Sequence, residues 1–247
     1  MRIVGIIPAR FGSTRLEGKP LVDILGKPMI QHVYERAQES KCLSEVLVAT
    51  DDARIVRAVE GFGGKAVMTS PTHLSGTDRV AEAAEKVNAD LVFNIQGDEP
   101  LLDPCFIAEC LKPFQRDPDV QIATVMKEIK DESAFSDPAV VKVVRDLAGR
   151  ALYFTRSLVP FPRNRGEHFR VFEHLGIYVF AKECLIRFSR LPQTPLEKVE
   201  GLEQLRALEH GIPIHVEETH CASELVSVDT PLDLERVRRI LSTQYVR

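Results

Sequence analysis

From residue 2 to residue 126 the chain alternates between two hydrophobic periods, and this alternation limits its fold more than any other feature. RIVGII (2–7), EVLVAT (45–50), KAVMT (65–69), DLVFNIQ (90–96) and VQIATVM (120–126) are short apolar runs, the pattern of buried strands. Between them, PMIQHVYERAQES (28–40), DDARIVRAVEGFG (51–63), TDRVAEAAEKV (77–87) and CFIAECLKPF (105–114) carry apolar residues at helical spacing, with Asp51 or Asp52 near the cap of the second. Such alternation predicts the α/β class: a three-layer α/β/α sandwich around a mostly parallel mixed sheet.

From about residue 138 the pattern changes. AVVKVVRD (139–146) and RALYFTR (150–156) flank Leu147-Ala148-Gly149 and predict an inserted hairpin arm. FEHLGIYVF (172–180) reads as a strand, and LEKVEGLEQLRALEHG (196–211) as one helix closed by Gly211. IPIHVEE and ELVSV read as short strands, and PLDLERVRRILSTQ (231–244) as a final helix opened by Pro231. No internal repeat or low-complexity linker divides the chain. The expectation is one domain over 1–247 with a hairpin arm, or a nucleotide half and a second-substrate half sharing one sheet.

Several function classes fall away on composition. A net charge of −4 leaves no basic excess to neutralise a nucleic-acid backbone. No apolar stretch approaches the ~20 residues of a membrane span, so no membrane insertion is expected. IVGII is too short for a signal peptide and Arg10 follows closely, which points to the cytoplasm. The five cysteines are scattered, odd in number and without a CxxC pair. They are expected as buried reduced thiols, forming neither a disulfide framework nor a zinc site. His215 and His220 have no metal-ligand spacing and read as structural or surface residues.

The chemistry is concentrated in IIPARFGSTRLEGKPL (6–21), which follows the first strand. A P-loop is excluded. Gly12 and Gly18 are separated by five residues rather than four, and Pro20 stands where the Mg²⁺-ligating hydroxyl would be. GFGGKA (61–66) matches a dinucleotide fingerprint by letter, but it follows a helix and precedes a strand, the reverse of the required context. What remains is a loop at the carboxyl end of the first strand, the ligand side of an open α/β sheet. Gly12 lets backbone N–H groups approach phosphate oxygens, and Arg10, Arg15 and Lys19 supply matching charge. A solvated basic loop would show the same letters.

This loop resembles the signature of sugar nucleotidyltransferases. LSGTDRVAEA, NIQGDEPLLDP, VKVV, ALYFTRS, HLGIYVF, LEKVEGLEQLRALEHG and SVDTPLDLERVR narrow the resemblance to the 3-deoxy-manno-octulosonate (Kdo) cytidylyltransferase family, from Arg2 to about Arg239. That resemblance implies a nucleotide-diphospho-sugar transferase-like fold and the reaction CTP + Kdo → CMP-Kdo + pyrophosphate, which activates Kdo for lipopolysaccharide. It implies Mg²⁺ as cofactor and a homodimer with the hairpin near 138–156 at its interface. Residues of about 1–130 would serve mainly CTP, and those of about 131–247 mainly the sugar and dimerisation. Two alternatives stay open: a related acid sugar (8-amino-Kdo or a sialic acid), and a silent nucleotide-binding regulator.

The resemblance also assigns roles. Arg10, Arg15, Lys19, Asp98 and Asp229 would be the catalytic set, with Asp98 and Asp229 holding the metal through hard carboxylate oxygens. Taken alone, Asp98 could be an exposed turn residue before a helix capped by Asp103, and Asp229 an N-cap or a salt-bridged turn residue. CTP would be held by Ala9, Arg10, Ser13, Arg15, Lys19, Ser75, Gly76, Thr77, Arg79, Gln96 and Asp98, with SGTDR (75–79) reading cytosine. Ser75 and Asp78 equally have the spacing of a capping box. The acid sugar would be held by Gln96, Arg156, His174, Tyr178, Glu200 and Gln204, with Arg156 facing its carboxylate. His174 and Tyr178 sit four apart on a strand and would share a side, and Glu200 and Gln204 one turn apart would share a helix face. Leu232 departs from the family pattern, which commonly has an acidic residue there.

Overall fold

The structure is a computed structural model that describes residues 1–12, 16–164, 169–223 and 225–244. They group into two compact units, Met1–Ala108 with Cys221–Arg247, and Glu109–His220.

The first unit is built on β1 (Ile3–Ala9), whose Val4, Ile6 and Ile7 are wholly buried, as expected of a strand covered on both faces. A small hairpin, β2 (Asp23–Ile24) and β3 (Lys27–Pro28), precedes α1 (Met29–Gln38). β4 (Glu45–Thr50) pairs with β1 in parallel. Next come α2 (Ala53–Gly61), β5 (Ala66–Met68, parallel to β4), α3 (Gly76–Glu85) and β6 (Leu91–Asn94, parallel to β1 on its other side). Parallel neighbours require crossovers, and these helices supply them. Each buries a stripe at helical spacing: Met29, Val33 and Ala37 on α1, Ile55 and Val59 on α2, Val80 and Ala84 on α3. Asp52 caps α2, accepting from the Arg54 amide at 2.8 Å. The helix expected over 105–114 divides into α4 (Pro104–Cys110) and α5 (Lys112–Arg116), because Pro113 has no N–H to continue the ladder.

The second unit centres on β7 (Ile122–Glu128). The expected hairpin is present as β8 (Lys142–Arg145) and β9 (Ala151–Thr155), turning at Gly149. β10 (Phe172–Ala181) runs antiparallel to β7 and meets β8 at the Glu173–Lys142 pair. A helix not foreseen from the sequence, α6 (Lys182–Ser189), follows it. The single helix expected over 196–211 is two short ones, α7 (Pro195–Glu200) and α8 (Leu205–Glu209). Gly201 separates them with φ +63°, a left-handed residue that ends α7. The buried Glu197–Arg206 pair, at 2.5 and 2.9 Å, ties the two pieces. β11 (Ile214–Glu218) lies parallel to β7.

At Cys221 the chain re-enters the first unit. Its last helix, α9 (Pro231–Gln244), buries Leu234, Val237 and Leu241 in a cluster with Ile24, Met29, Val226 and Val228. ELVSV forms no strand among the described residues. Its Ser227 and Val228 hydrogen-bond to residues 99 and 98, which follow β6. The cysteine expectation is also corrected: Cys105 and Cys221 form a disulfide across 116 residues of sequence. Pairing depends on the chain's return, which cysteine spacing does not reveal. Cys110 and Cys184 are buried free thiols, as expected, whereas the free thiol Cys42 is only half-buried. In class, the fold is the anticipated α/β type, a mostly parallel mixed sheet flanked by helices.

Candidate active site

The carboxyl ends of β1 and β6 open into a cleft of about 390 Å³ in the first unit. Ala9 and Arg10 line it where β1 ends, and Gln96, Gly97 and Asp98 where β6 ends. Gly97 is required there: a Cβ would lie 2.6 Å from the Pro8 carbonyl oxygen. Its absence lets the Asp98 loop cross directly over the end of β1.

Lys19 begins a 3₁₀ turn (Lys19–Leu21) and reaches across the cleft. Its Nζ lies 2.6 Å from Asp98 Oδ2 and 3.0 Å from Asp229 Oδ1. Asp229 arrives from the other end of the chain. The Val228 amide donates to the Asp98 carbonyl at 2.9 Å, and the Asp229 and Thr230 amides both donate to Asp233 in the first turn of α9. One ammonium against two carboxylates leaves the cluster with a net charge of −1. Both carboxylates are partly exposed, at 30% and 39%, and open to a ligand. Two hard oxygen donors that already share one positive charge fit a divalent cation of the Mg²⁺ kind.

Glu99, to which sequence reasoning assigns no role, is the residue that follows Asp98. It is buried, with Oε2 making no hydrogen bond among the described residues. Burial, and then the Asp98 charge, push its carboxyl up to about 8, so near neutrality it is largely protonated. The QGDEP letters contain it, but only its burial distinguishes it from Asp98.

The remaining CTP candidates separate. Ser75 and Gly76 line the cleft at the start of α3, with His73 and the exposed Leu74, neither of which was singled out from sequence. Ser75 and Asp78 do form a capping box, at 3.1 and 3.2 Å, which uses the Ser75 amide and one acceptor position of its hydroxyl oxygen within the helix. Arg79 also lines the cleft, but its buried guanidinium is held by Asp51 at 2.8 Å and Thr69 at 2.6 Å. Thr77 is buried against Asn94 and does not line the cleft. Ser13 and Arg15 lie outside the described residues.

The sugar candidates other than Gln96 lie in the second unit. Glu200 accepts from Thr155 Oγ1 at 2.7 Å, the Arg156 amide at 3.0 Å and Tyr153 at 3.5 Å. Burial works against its charge, yet these donors outweigh it and hold the carboxyl below its ordinary range. The Arg156 guanidinium donates to the Glu200 and Pro138 carbonyls at 2.7 and 2.8 Å. His174 is buried, with Nε2 3.1 Å from Thr124 Oγ1 and its ring 5.3 Å from that of Tyr178. Burial takes its pKa down to about 3, so it is neutral at physiological pH. The Tyr178 hydroxyl is buried without a hydrogen-bond partner among the described residues, and burial raises its pKa well above the usual range. Gln204 sits at the start of α8, beyond the Gly201 break, so it shares no helix face with Glu200.

A sequence-family model described as Cytidylyltransferase matches residues 4–218. The chain is 49% identical to a 3-deoxy-manno-octulosonate cytidylyltransferase of Geobacter sulfurreducens, over 96% of this chain and 98% of that one. It is 51% identical to a protein of the same name from Syntrophobacter fumaroxidans, over 100% and 99%. Among solved structures, a CMP:2-keto-3-deoxy-manno-octonic acid synthetase complexed with CTP superposes with a TM-score of 0.93 at 45% identity, covering 99% of this chain and 100% of that one.

Proposed function

The chain belongs to the cytidylyltransferase family, and from that premise we propose that it transfers CMP from CTP to the anomeric 2-hydroxyl of Kdo, activating this sugar for lipopolysaccharide synthesis. In this reaction the 2-hydroxyl oxygen bonds to the α-phosphorus, the bond from the α-phosphorus to the bridging oxygen breaks, pyrophosphate leaves, and the hydroxyl proton passes to solvent. The observation that carries this reading is the Lys19–Asp98–Asp229 cluster at the strand ends, beside Arg10.

Positioning and charge neutralisation dominate transfers of this type. Arg10 and Lys19, with Arg15, are assigned to the triphosphate charge. Asp98 and Asp229 would hold Mg²⁺, which when bound supplies charge neutralisation at the α-phosphate and lowers the pKa of an attacking hydroxyl. Ser75 and Gly76 are assigned to cytosine, where backbone groups and a confined turn favour a pyrimidine. Arg156, His174, Tyr178, Glu200 and Gln204, together with Gln96, are assigned to the sugar. The unpartnered Tyr178 hydroxyl supports this, since a buried donor is best explained by a ligand that accepts from it. No helix among the described residues is long and apolar enough to cross a membrane, and we read the protein as cytoplasmic. We also read it as a homodimer: β8–β9 and its turn expose Leu147 and Leu152, apolar side chains that an interface would cover.

The test is pyrophosphate release with CTP, Kdo and Mg²⁺. Asp98→Asn should keep the fold and lower turnover by roughly a thousandfold, the loss of one charged ligand. Near-normal kcat at saturating Mg²⁺ would remove Asp98 from the metal site. Under saturating CTP, Kdo should outcompete the bulkier N-acetylneuraminate. The opposite result would leave a cytidylyltransferase acting on another acid sugar.

A further inference from the structure

We propose that Phe11 and Arg54 form a clasp that positions Arg10 and Lys19 for the triphosphate, so that CTP affinity depends on two residues outside the cleft. This rests on the cleft being the CTP site.

Phe11 follows Arg10 and Gly18 precedes Lys19, so a tie between these two neighbours bears on where both charges lie. The Gly18 amide donates to the Phe11 carbonyl at 3.1 Å and supplies that tie. The Phe11 ring rests against Gly18, where a Cβ would lie 3.1 Å from two ring carbons. The guanidinium carbon of Arg54 lies 3.3 Å from the same ring's centroid, a stacked cation–π contact. Arg54 is itself aimed. Asp52 takes it by a fork, Nε to Oδ1 at 2.9 Å and Nη2 to Oδ2 at 2.6 Å, and also accepts the Arg54 amide at 2.8 Å as the cap of α2. A continuous set of contacts therefore runs from the capped amino end of α2 through Asp52, Arg54 and Phe11 to Gly18, the residue before Lys19. Beyond it, the Leu21 amide donates to the Gly18 carbonyl at 2.7 Å and fixes the turn from which Lys19 reaches the carboxylates.

The Arg54 side chain is 52% exposed, and an ion pair this open contributes little to stability. A clasp with little stabilising value, joined to the residue beside Lys19, is suited to setting geometry. Arg54 and Phe11 are positioning residues: they act through Gly18 and Lys19, and neither lines the cleft.

The experiment is steady-state kinetics with CTP, Kdo and Mg²⁺, with calorimetric CTP titration and thermal melting on each variant. Arg54→Ala and Phe11→Leu should each raise KM and Kd for CTP by about five- to twentyfold, with KM for Kdo within about twofold and melting temperature unchanged. Phe11→Tyr keeps the ring and should restore the CTP values. Arg57→Ala removes the same charge from the exposed face of the same helix and should leave them alone. If Arg57→Ala weakens CTP as much as Arg54→Ala does, the effect is long-range charge and the clasp is refuted. It is equally refuted if Arg54→Ala and Phe11→Leu lower the melting temperature while CTP affinity stays at the wild-type value. If the wild-type protein releases no pyrophosphate, the functional reading fails, and the CTP titration still decides the clasp.

Discussion

Removing the Lys19 ammonium should change metal binding and turnover in opposite directions. Its Nζ lies 2.6 and 3.0 Å from two carboxylates assigned to the metal, so in the free protein it occupies their charge. At an effective dielectric of about 20, each contact would be worth ~5–6 kcal/mol. The carboxylates are 30% and 39% exposed, however, and at such exposure measured pairs fall to about 1 kcal/mol each. The net hold on the pair is then about 2 kcal/mol, which a cation competing for the same oxygens must displace. Lys19→Met, similar in length and uncharged, should tighten binding of Mg²⁺ or Mn²⁺ to the nucleotide-free protein by about ten- to thirtyfold. The same variant should lose about a hundredfold or more in kcat, because no ammonium remains to neutralise phosphate charge. Calorimetric titration of both proteins with Mn²⁺ reads the first effect, and pyrophosphate release reads the second. Metal affinity that is unchanged or weaker in Lys19→Met would show that Asp98 and Asp229 are not the ligands, and the assignment of the cluster would fall.

Arg156→Ala should raise KM for Kdo about ten- to a hundredfold with KM for CTP nearly unchanged; equal losses for both substrates would take Arg156 out of the sugar set. His174 is held neutral in the fold with its pKa lowered to about 3, while the unfolded chain takes up that proton below its ordinary value of 6.5. Stability should therefore fall as pH drops from 6.5 towards 3, by at most about 1.4 kcal/mol per pH unit. His174→Gln should flatten this acid limb in urea unfolding, and an unaltered limb would mean His174 is not buried neutral. Cys105→Ser should cost about 2–4 kcal/mol in non-reducing urea unfolding, with a dithiol reductant producing the same loss in the wild type. Identical midpoints in all three states would show that the cross-link does not form.

The first unit was legible because its signals are local. A buried parallel strand and an amphipathic helix each declare themselves within ten residues, and the caps at Asp52 and Ser75 follow from residue type and spacing. Asp98, just past the end of β6, and Lys19, in the basic loop that follows β1, stood out for the same reason, each in unusual company. The errors arose where a local pattern concealed a break or a distant partner. Strong helix formers on both sides of Gly201 hid its left-handed backbone, and with it the separation of Glu200 from Gln204. His174 and Tyr178 do lie ring to ring, but β10 reaches that arrangement through an irregular register between Leu175 and Tyr178. Thr77 and Ser75 are close in sequence, yet the first turn of α3 sends Thr77 into the core and leaves Ser75 on the cleft. Arg156 shows the opposite difficulty. Its charge suggests a ligand, and only coordinates reveal how many backbone carbonyls it already serves.

The least legible feature is the one that completes the cluster. Asp229 and Asp98 lie far apart in sequence, and neither local periodicity nor residue type brings them together. The segment after Cys221 runs antiparallel to the segment after β6, and four ties hold it in a single register. The Val228 amide bonds to the Asp98 carbonyl, Ser227 to Glu99, Ser223 to Asp103, and Cys221 to Cys105 through sulfur. Each step along one segment is matched by an equal step back along the other, as in a ladder, although only one of the four ties joins backbone to backbone. The ELVSV pattern was therefore poor evidence for a strand. The register also explains why the two carboxylates face one ammonium. Asp229 follows the residue tied to Asp98, so any slip along the two segments would carry it away from Lys19. The disulfide fixes the register at the far end and the Val228 amide fixes it beside the site, so the second metal candidate is held by backbone geometry before any cation arrives.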